Sequence, residues 1–143
     1  MIYRTEYMQL LHSFKDSKII KIITGLRFSG KYTLLQSFRD ELIKDNVAEN
    51  QILYIDFGLL KYDSIRDYKQ FYNFVVRNIK PDNKNYLFFD EIQQVKGWEK
   101  AVNSLVLEYD VDIYIASSDS DLLYSDFSTL IAGRYVEIKL PSQ

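Results

Sequence analysis

The sequence predicts an α/β fold, a three-layer α/β/α sandwich in which helices cover both faces of a five-stranded parallel sheet. Five short runs of apolar, β-branched and aromatic residues carry that expectation: Ile19–Thr24, Ile52–Phe57, Tyr86–Phe89, Asp112–Ala116 and Tyr135–Leu140. The first three are apolar nearly throughout, as strands buried on both faces are. The segments between them are long enough for crossover helices, the arrangement of repeated βα units.

Those segments show helical spacing. Residues 31–44 place Leu34, Leu35, Phe38, Leu42 and Ile43 three and four apart, which predicts a helix after the first strand. Residues 65–79 repeat the pattern with Tyr68, Phe71, Tyr72, Val75, Val76 and Ile79, and residues 98–109 with Ala101, Val102, Leu105 and Val106. A further helix is expected over residues 3–14, and the polar stretches 44–51 and 80–85 read as connecting loops.

Composition narrows the function classes. The 143 residues are 47% hydrophobic and 15% aromatic, enough for one compact core, so residues 1–143 read as a single domain. Eighteen Lys and Arg against twenty Asp and Glu leave a charge of −2, which does not indicate a nucleic-acid partner. With no Cys and one histidine, His12, the chain offers no disulfide framework, thiolate nucleophile, catalytic triad or histidine-rich zinc site. No apolar run approaches the ~20 residues a membrane helix needs, so no membrane partner is expected and the cytoplasm is the expected location.

The strongest motif is Gly25-Leu26-Arg27-Phe28-Ser29-Gly30-Lys31, set between an apolar strand and an amphipathic helix. This is G-x-x-x-x-G-K in the context a phosphate-binding loop requires. Glycines let the backbone wrap around phosphates, several N–H groups point inward, and the helix N-terminus adds partial positive charge. Lys31 would reach the β- and γ-phosphates. The next position normally carries Ser or Thr, whose hydroxyl binds Mg²⁺. Here it is Tyr32, with a long rigid phenol, and Thr33 is rotated about 100° around the helix. Metal coordination is therefore expected to be weakened, while nucleotide binding, which rests on the backbone and Lys31, survives.

A second motif, Leu87-Phe88-Phe89-Asp90-Glu91, is an apolar strand ending in two acids. Asp90 is the candidate metal ligand, and Glu91 the candidate for orienting or deprotonating water. After the fourth strand, Ser117-Ser118-Asp119 offers a polar group to sense phosphate, with the alternative that Asp119 or Ser120 starts a short helix through Leu122 and Leu123. Arg27 and Arg134, the latter preceded by Gly133, are candidate cations. Arg134 would act within the site or across a subunit boundary.

Taken in order, Ile23-Thr24-Gly25, Ser29-Gly30-Lys31, Asp90-Glu91-Ile92-Gln93, Trp98-Glu99-Lys100, Ser118-Asp119-Ser120 and Gly133-Arg134-Tyr135 resemble the AAA-superfamily ATPase domain of a widespread prokaryotic family. The resemblance implies an AAA-type sheet, ATP and ADP as ligands with Mg²⁺, and a site in which residues 25–33 hold the nucleotide. It also implies Asp90 at the metal, Glu91 and Ser118 at the reacting phosphate, Gln93 beside them, and Arg134 as a completing cation. Further helices and a C-terminal domain typically follow in that family, so this chain is expected to be the N-terminal portion of a longer architecture. Homo-oligomers or a protein partner are the expected assemblies. Two departures fall in the nucleotide site: Tyr32 where the family has Ser, and Asp119 where it has Asn, which could put a carboxylate near phosphates.

The reading is an ATP-binding AAA-type domain whose hydrolysis is slow or impaired. Its alternative is a degenerate phosphate-loop fold acting as a non-enzymatic protein-interaction module. A nucleoside kinase shares the loop, but the sequence has no recognisable lid or acceptor-base motif.

Overall fold

A computed structural model describes residues 2–26, 29–119, 121–124 and 134–141. The five expected strands are β1 (Ile20–Thr24), β2 (Ile52–Asp56), β3 (Asn85–Asp90), β4 (Val111–Ser117) and β5 (Tyr135–Lys139). All neighbours pair in parallel, in the order β2-β3-β4-β1-β5. The three inner strands are buried at every position and the edge strands β2 and β5 are only partly covered. The apolar runs of β1 and β3 match that burial, whereas the run of β2, equally apolar in sequence, lies at an edge and is only partly covered.

The helices are α1 (Ile2–Ser13), α2 (Lys31–Lys44), α3 (Tyr68–Asn78) and α4 (Trp98–Glu108). The chain steps from β1 to the far edge at β2, then returns through β3 to β4. Because parallel crossovers are right-handed, helices of opposite steps fall on opposite faces. Accordingly α1 and α2 pack with Ile23, Phe88 and Tyr114 on one face, and α3 and α4 with Ile22, Phe89 and Ile115 on the other.

Helix α3 begins three residues later than its apolar spacing suggests. Asp67 caps it, its carboxylate accepting the Gln70 N–H at 2.9 Å, and the Gln70 side chain reaches back to the Asp67 N–H at 3.2 Å. This reciprocal cap outweighs continuation of the helix through Ile65, which is buried in the core instead. Ile43, counted in the apolar face of α2, is 36% exposed, while Leu34, Leu35, Phe38 and Leu42 are buried. The polar stretch 44–51 contains one turn of 3₁₀ helix, Glu49–Gln51.

Inside the sheet lies an ion pair that composition does not reveal. Lys21 of β1 donates to Asp112 of β4, and both side chains are fully buried. Tyr114 Oη and the Asp16 N–H each donate to Asp112 Oδ2 at 2.8 Å, and the Lys21 ammonium lies 4.9 Å from the Tyr114 ring centre.

Candidate functional site

Parallel pairing puts the C-terminal ends of all five strands at one edge of the sheet, where ligands of open α/β folds bind. The loop after β1 enters this edge and turns into α2. Gly30 precedes α2 with φ +104°, a conformation that disfavours a side chain. Gly25 is needed for a different reason: a Cβ there would lie 2.7 Å from Ser29 Oγ and 3.2 Å from Leu140. Ser29 is buried, its N–H donates to the Leu26 carbonyl at 3.1 Å, and its hydroxyl has no hydrogen-bond partner among the described residues. Lys31, also buried, donates to the Gly25 and Leu26 carbonyls at 2.8 and 2.9 Å. The loop thus bends around its own lysine. Arg27, Phe28, Ser120 and Gly133 lie outside the described residues.

A cleft of about 770 Å³ opens beside this loop, lined by Gly30, Lys31, Tyr32, Thr33, Asp56, Gly58, Leu59, Asp90, Glu91 and Gln94. It brings the helix start, Lys31 and the two acids after β3 together. Tyr32 is 56% exposed, and its ring stands edge-on to Tyr54 at 6.3 Å and 82°. Asp90 is buried, and its pKa is pushed up to about 7 by burial first and then by the nearby Asp56 and Glu91 charges, with Lys31 opposing.

Glu91 is held by a polar network. Its backbone is left-handed, φ 54° and ψ 47°, which an L side chain adopts at a cost. Its carboxylate accepts the Ser118 N–H at 2.9 Å, the Ser118 hydroxyl at 2.8 Å and the Gln93 amide at 2.9 Å. Gln93 in turn accepts the Ser117 hydroxyl at 2.7 Å. Ser118 therefore meets Glu91 directly. Asp119 accepts the Asp121 N–H at 2.9 Å and its carbonyl takes the Leu122 N–H, so it caps the turn into Leu122–Tyr124.

Arg134 is not in the cleft. It precedes β5, where its carbonyl accepts the Ile20 N–H, and Tyr135 pairs with Ile20. Ile20 starts β1 whereas the loop follows its end, so Arg134 lies a strand length away, roughly 16 Å.

One acid of the cleft escapes the motif reading. Asp56 ends β2 and pairs in register with Asp90. The signal was present in Ile-Leu-Tyr-Ile-Asp, an apolar run ending in an acid as β3 does. Among the described residues no group of three or more His, Cys, Asp or Glu side chains is arranged to hold a metal ion. Magnesium carried by a nucleotide needs less, since it uses one or two carboxylates together with phosphate oxygens and water. Asp90 at the cleft edge fits that requirement, and the buried Ser29 hydroxyl and Lys31 suit an anion at the loop. Among the described residues no helix is long and apolar enough to cross a membrane.

A family model described as an AAA domain matches residues 17–142. A protein of Haemophilus influenzae is 41% identical over 141 residues, covering 98% of this chain and 35% of that relative. The chain thus spans about a third of the relative's length. Among solved structures, one of Drosophila ORC bound to DNA superposes with TM-score 0.63 at 11% identity, covering 98% of this chain and 90% of that one. A DNA polymerase III gamma subunit-related protein of Thermotoga maritima gives TM-score 0.63 at 11% identity, covering 98% and 46%. At such identities these two likenesses concern the fold alone.

Proposed function

The chain belongs to the AAA domain family, and on that premise we propose that it binds ATP through residues 25–33, with metal-assisted hydrolysis impaired by Tyr32. The observation that carries this reading is the shared cleft of Lys31, the α2 N-terminus and Asp90. A polyphosphate entering it exchanges the Gly25 and Leu26 carbonyls at Lys31 for its own oxygens, and meets the first N–H groups of α2.

Asp90 would hold Mg²⁺, which when bound with the nucleotide neutralises charge on the β- and γ-phosphate oxygens. Glu91 orients or deprotonates water once its carboxylate turns from Ser118 and Gln93 toward the cleft. A short hydroxyl at position 32 is missing from this set. Binding therefore outlasts hydrolysis. Arg134, exposed and remote from its own cleft, suits a role only in a neighbouring subunit of a homo-oligomer.

Titration calorimetry with ATP and Mg²⁺ tests the reading, with Lys31→Ala as control. Heat from wild type and at least roughly tenfold weaker binding by the variant are expected. A folded wild type that gives no heat overturns it.

Tyr32 favours one second reading, a protein-interaction module on a degenerate loop. The two separate in a melting experiment, because a ligand that binds only the folded state raises its stability by mass action. Unchanged melting at millimolar ATP favours the module.

A further inference from the structure

We infer that Asp56 is the second carboxylate ligand of a nucleotide-borne Mg²⁺, standing beside Asp90 in a shell to which Tyr32 brings no short aliphatic hydroxyl. The inference rests on the ATP-binding reading above and names a residue that the sequence motifs leave out.

Tyr54 and Phe88 pair in register and stack at 5.6 Å, and Phe88 packs in the cluster that contains Leu34, Leu35 and Phe38 of α2. Both residues therefore lie on the α2 face. Two residues further, Asp56 and Asp90 pair in register on that same face, because side chains two apart in a strand share a side. Here the strands end and α2 begins with Lys31 and Tyr32. Adjacent strands run ~4.8 Å apart, so two carboxylates are carried side by side at the cleft edge.

Asp56 is also oriented. Its Oδ1 accepts the Gly58 N–H at 2.9 Å, and a Cβ on Gly58 would come within 3.1 Å of that oxygen. The turn after β2 thus holds the carboxylate at the strand end. Glu91 is engaged by Ser118 and Gln93, which leaves Asp56 and Asp90 as the paired acids of the cleft. Two carboxylates with phosphate oxygens and water make an ordinary magnesium shell. In the usual arrangement a Ser or Thr hydroxyl at position 32 shares that shell with Asp90. Tyr32 instead sets its ring against Tyr54, on the strand that carries Asp56.

The test compares ATP binding in EDTA with binding in Mg²⁺, and counts bound Mn²⁺ by its paramagnetic resonance. The proteins are wild type, Asp56→Asn, Asp90→Asn and the double variant Tyr32→Ser with Asp56→Asn. Asparagine keeps the acceptor for Gly58, so the turn is retained. Metal-free ATP should bind Asp56→Asn as well as or better than wild type, since one negative charge has gone. The gain in affinity from Mg²⁺ should fall roughly tenfold, with Mn²⁺ binding falling in parallel. Tyr32→Ser should restore part of it. A purely structural role for Asp56 would weaken both conditions together and overturns the inference. So does an Asp56→Asn protein that keeps the full Mg²⁺ gain. Wild type that binds no ATP in either condition defeats the ATP reading and this inference with it.

Discussion

Ser118 holds both oxygens of the Glu91 carboxylate, its N–H donating to Oε1 at 2.9 Å and its hydroxyl to Oε2 at 2.8 Å. The contact joins the end of β3 to the end of β4 while Glu91 sits in a left-handed backbone conformation. Two opposing terms meet at one residue, and substitution separates them. Glu91→Ala and Glu91→Gly lose the same hydrogen bonds, but only glycine adopts φ 54° without strain. Glu91→Gly should therefore be the more stable by ~1 kcal/mol in urea unfolding. Equal stabilities would show that the backbone there carries no strain.

On the proposed ATP-binding reading, Tyr32 limits hydrolysis. Tyr32→Ser restores a short hydroxyl at the start of α2 and should raise phosphate release at least roughly tenfold over wild type, a barrier change of ~1.4 kcal/mol. Glu91→Gln in that background should remove the gain. A wild type that already releases phosphate as fast as Tyr32→Ser would refute the proposed cost of the phenol.

Asp90 makes stability depend on pH. Its folded pKa, about 7, stands above the ordinary 3.8, so the folded protein holds the proton more tightly than the unfolded chain. The resulting stabilisation is complete below about pH 4 and is lost as pH rises through 7. Asp90→Asn does not titrate, so its stability relative to nucleotide-free wild type should climb between about pH 4 and pH 7 and level off above that. The span at ~1.4 kcal/mol per pH unit sets a ceiling of ~4 kcal/mol. A difference independent of pH in denaturant melts would contradict the assignment.

The Lys21–Asp112 pair is a structural matter, far from the cleft. Both side chains are fully buried, so removing one partner leaves the other charge without compensation. Asp112→Ala should cost ~3–5 kcal/mol, because Tyr114 Oη and the Asp16 N–H also lose their acceptor. Lys21→Met, which keeps the volume but leaves Asp112 two other donors, should cost less. Thermal unfolding of the two variants ranks them, and the reverse order would sink this account.

Much of the candidate site was legible because its motifs are local. Gly25 to Lys31 and Leu87 to Glu91 lie in contiguous stretches whose strand and helix contexts show in the apolar pattern. Asp56 was harder, since a single acid after an apolar run has many uses until the register sets it beside Asp90. Lys21 could not be anticipated as a buried charge, because its partner is 91 residues away. Ile43 and the start of α3 differ from the periodic pattern for local reasons, a helix end in one case and the Asp67–Gln70 cap in the other.

The sequence by itself determined the α/β class, the five strands, the G-x-x-x-x-G-K pattern and the tyrosine that follows it. Each rests on side-chain period or short-range spacing, which the chain carries before it folds. Only the tertiary structure decided how these parts meet. Strand order brings β2 beside β3 and so Asp56 beside Asp90, and β3 beside β4 and so Glu91 near Ser118. Strand direction sends Arg134 to the opposite end of the sheet from Lys31. Pairing across the sheet joins residues far apart in the chain, and no local period encodes which strand lies next to which.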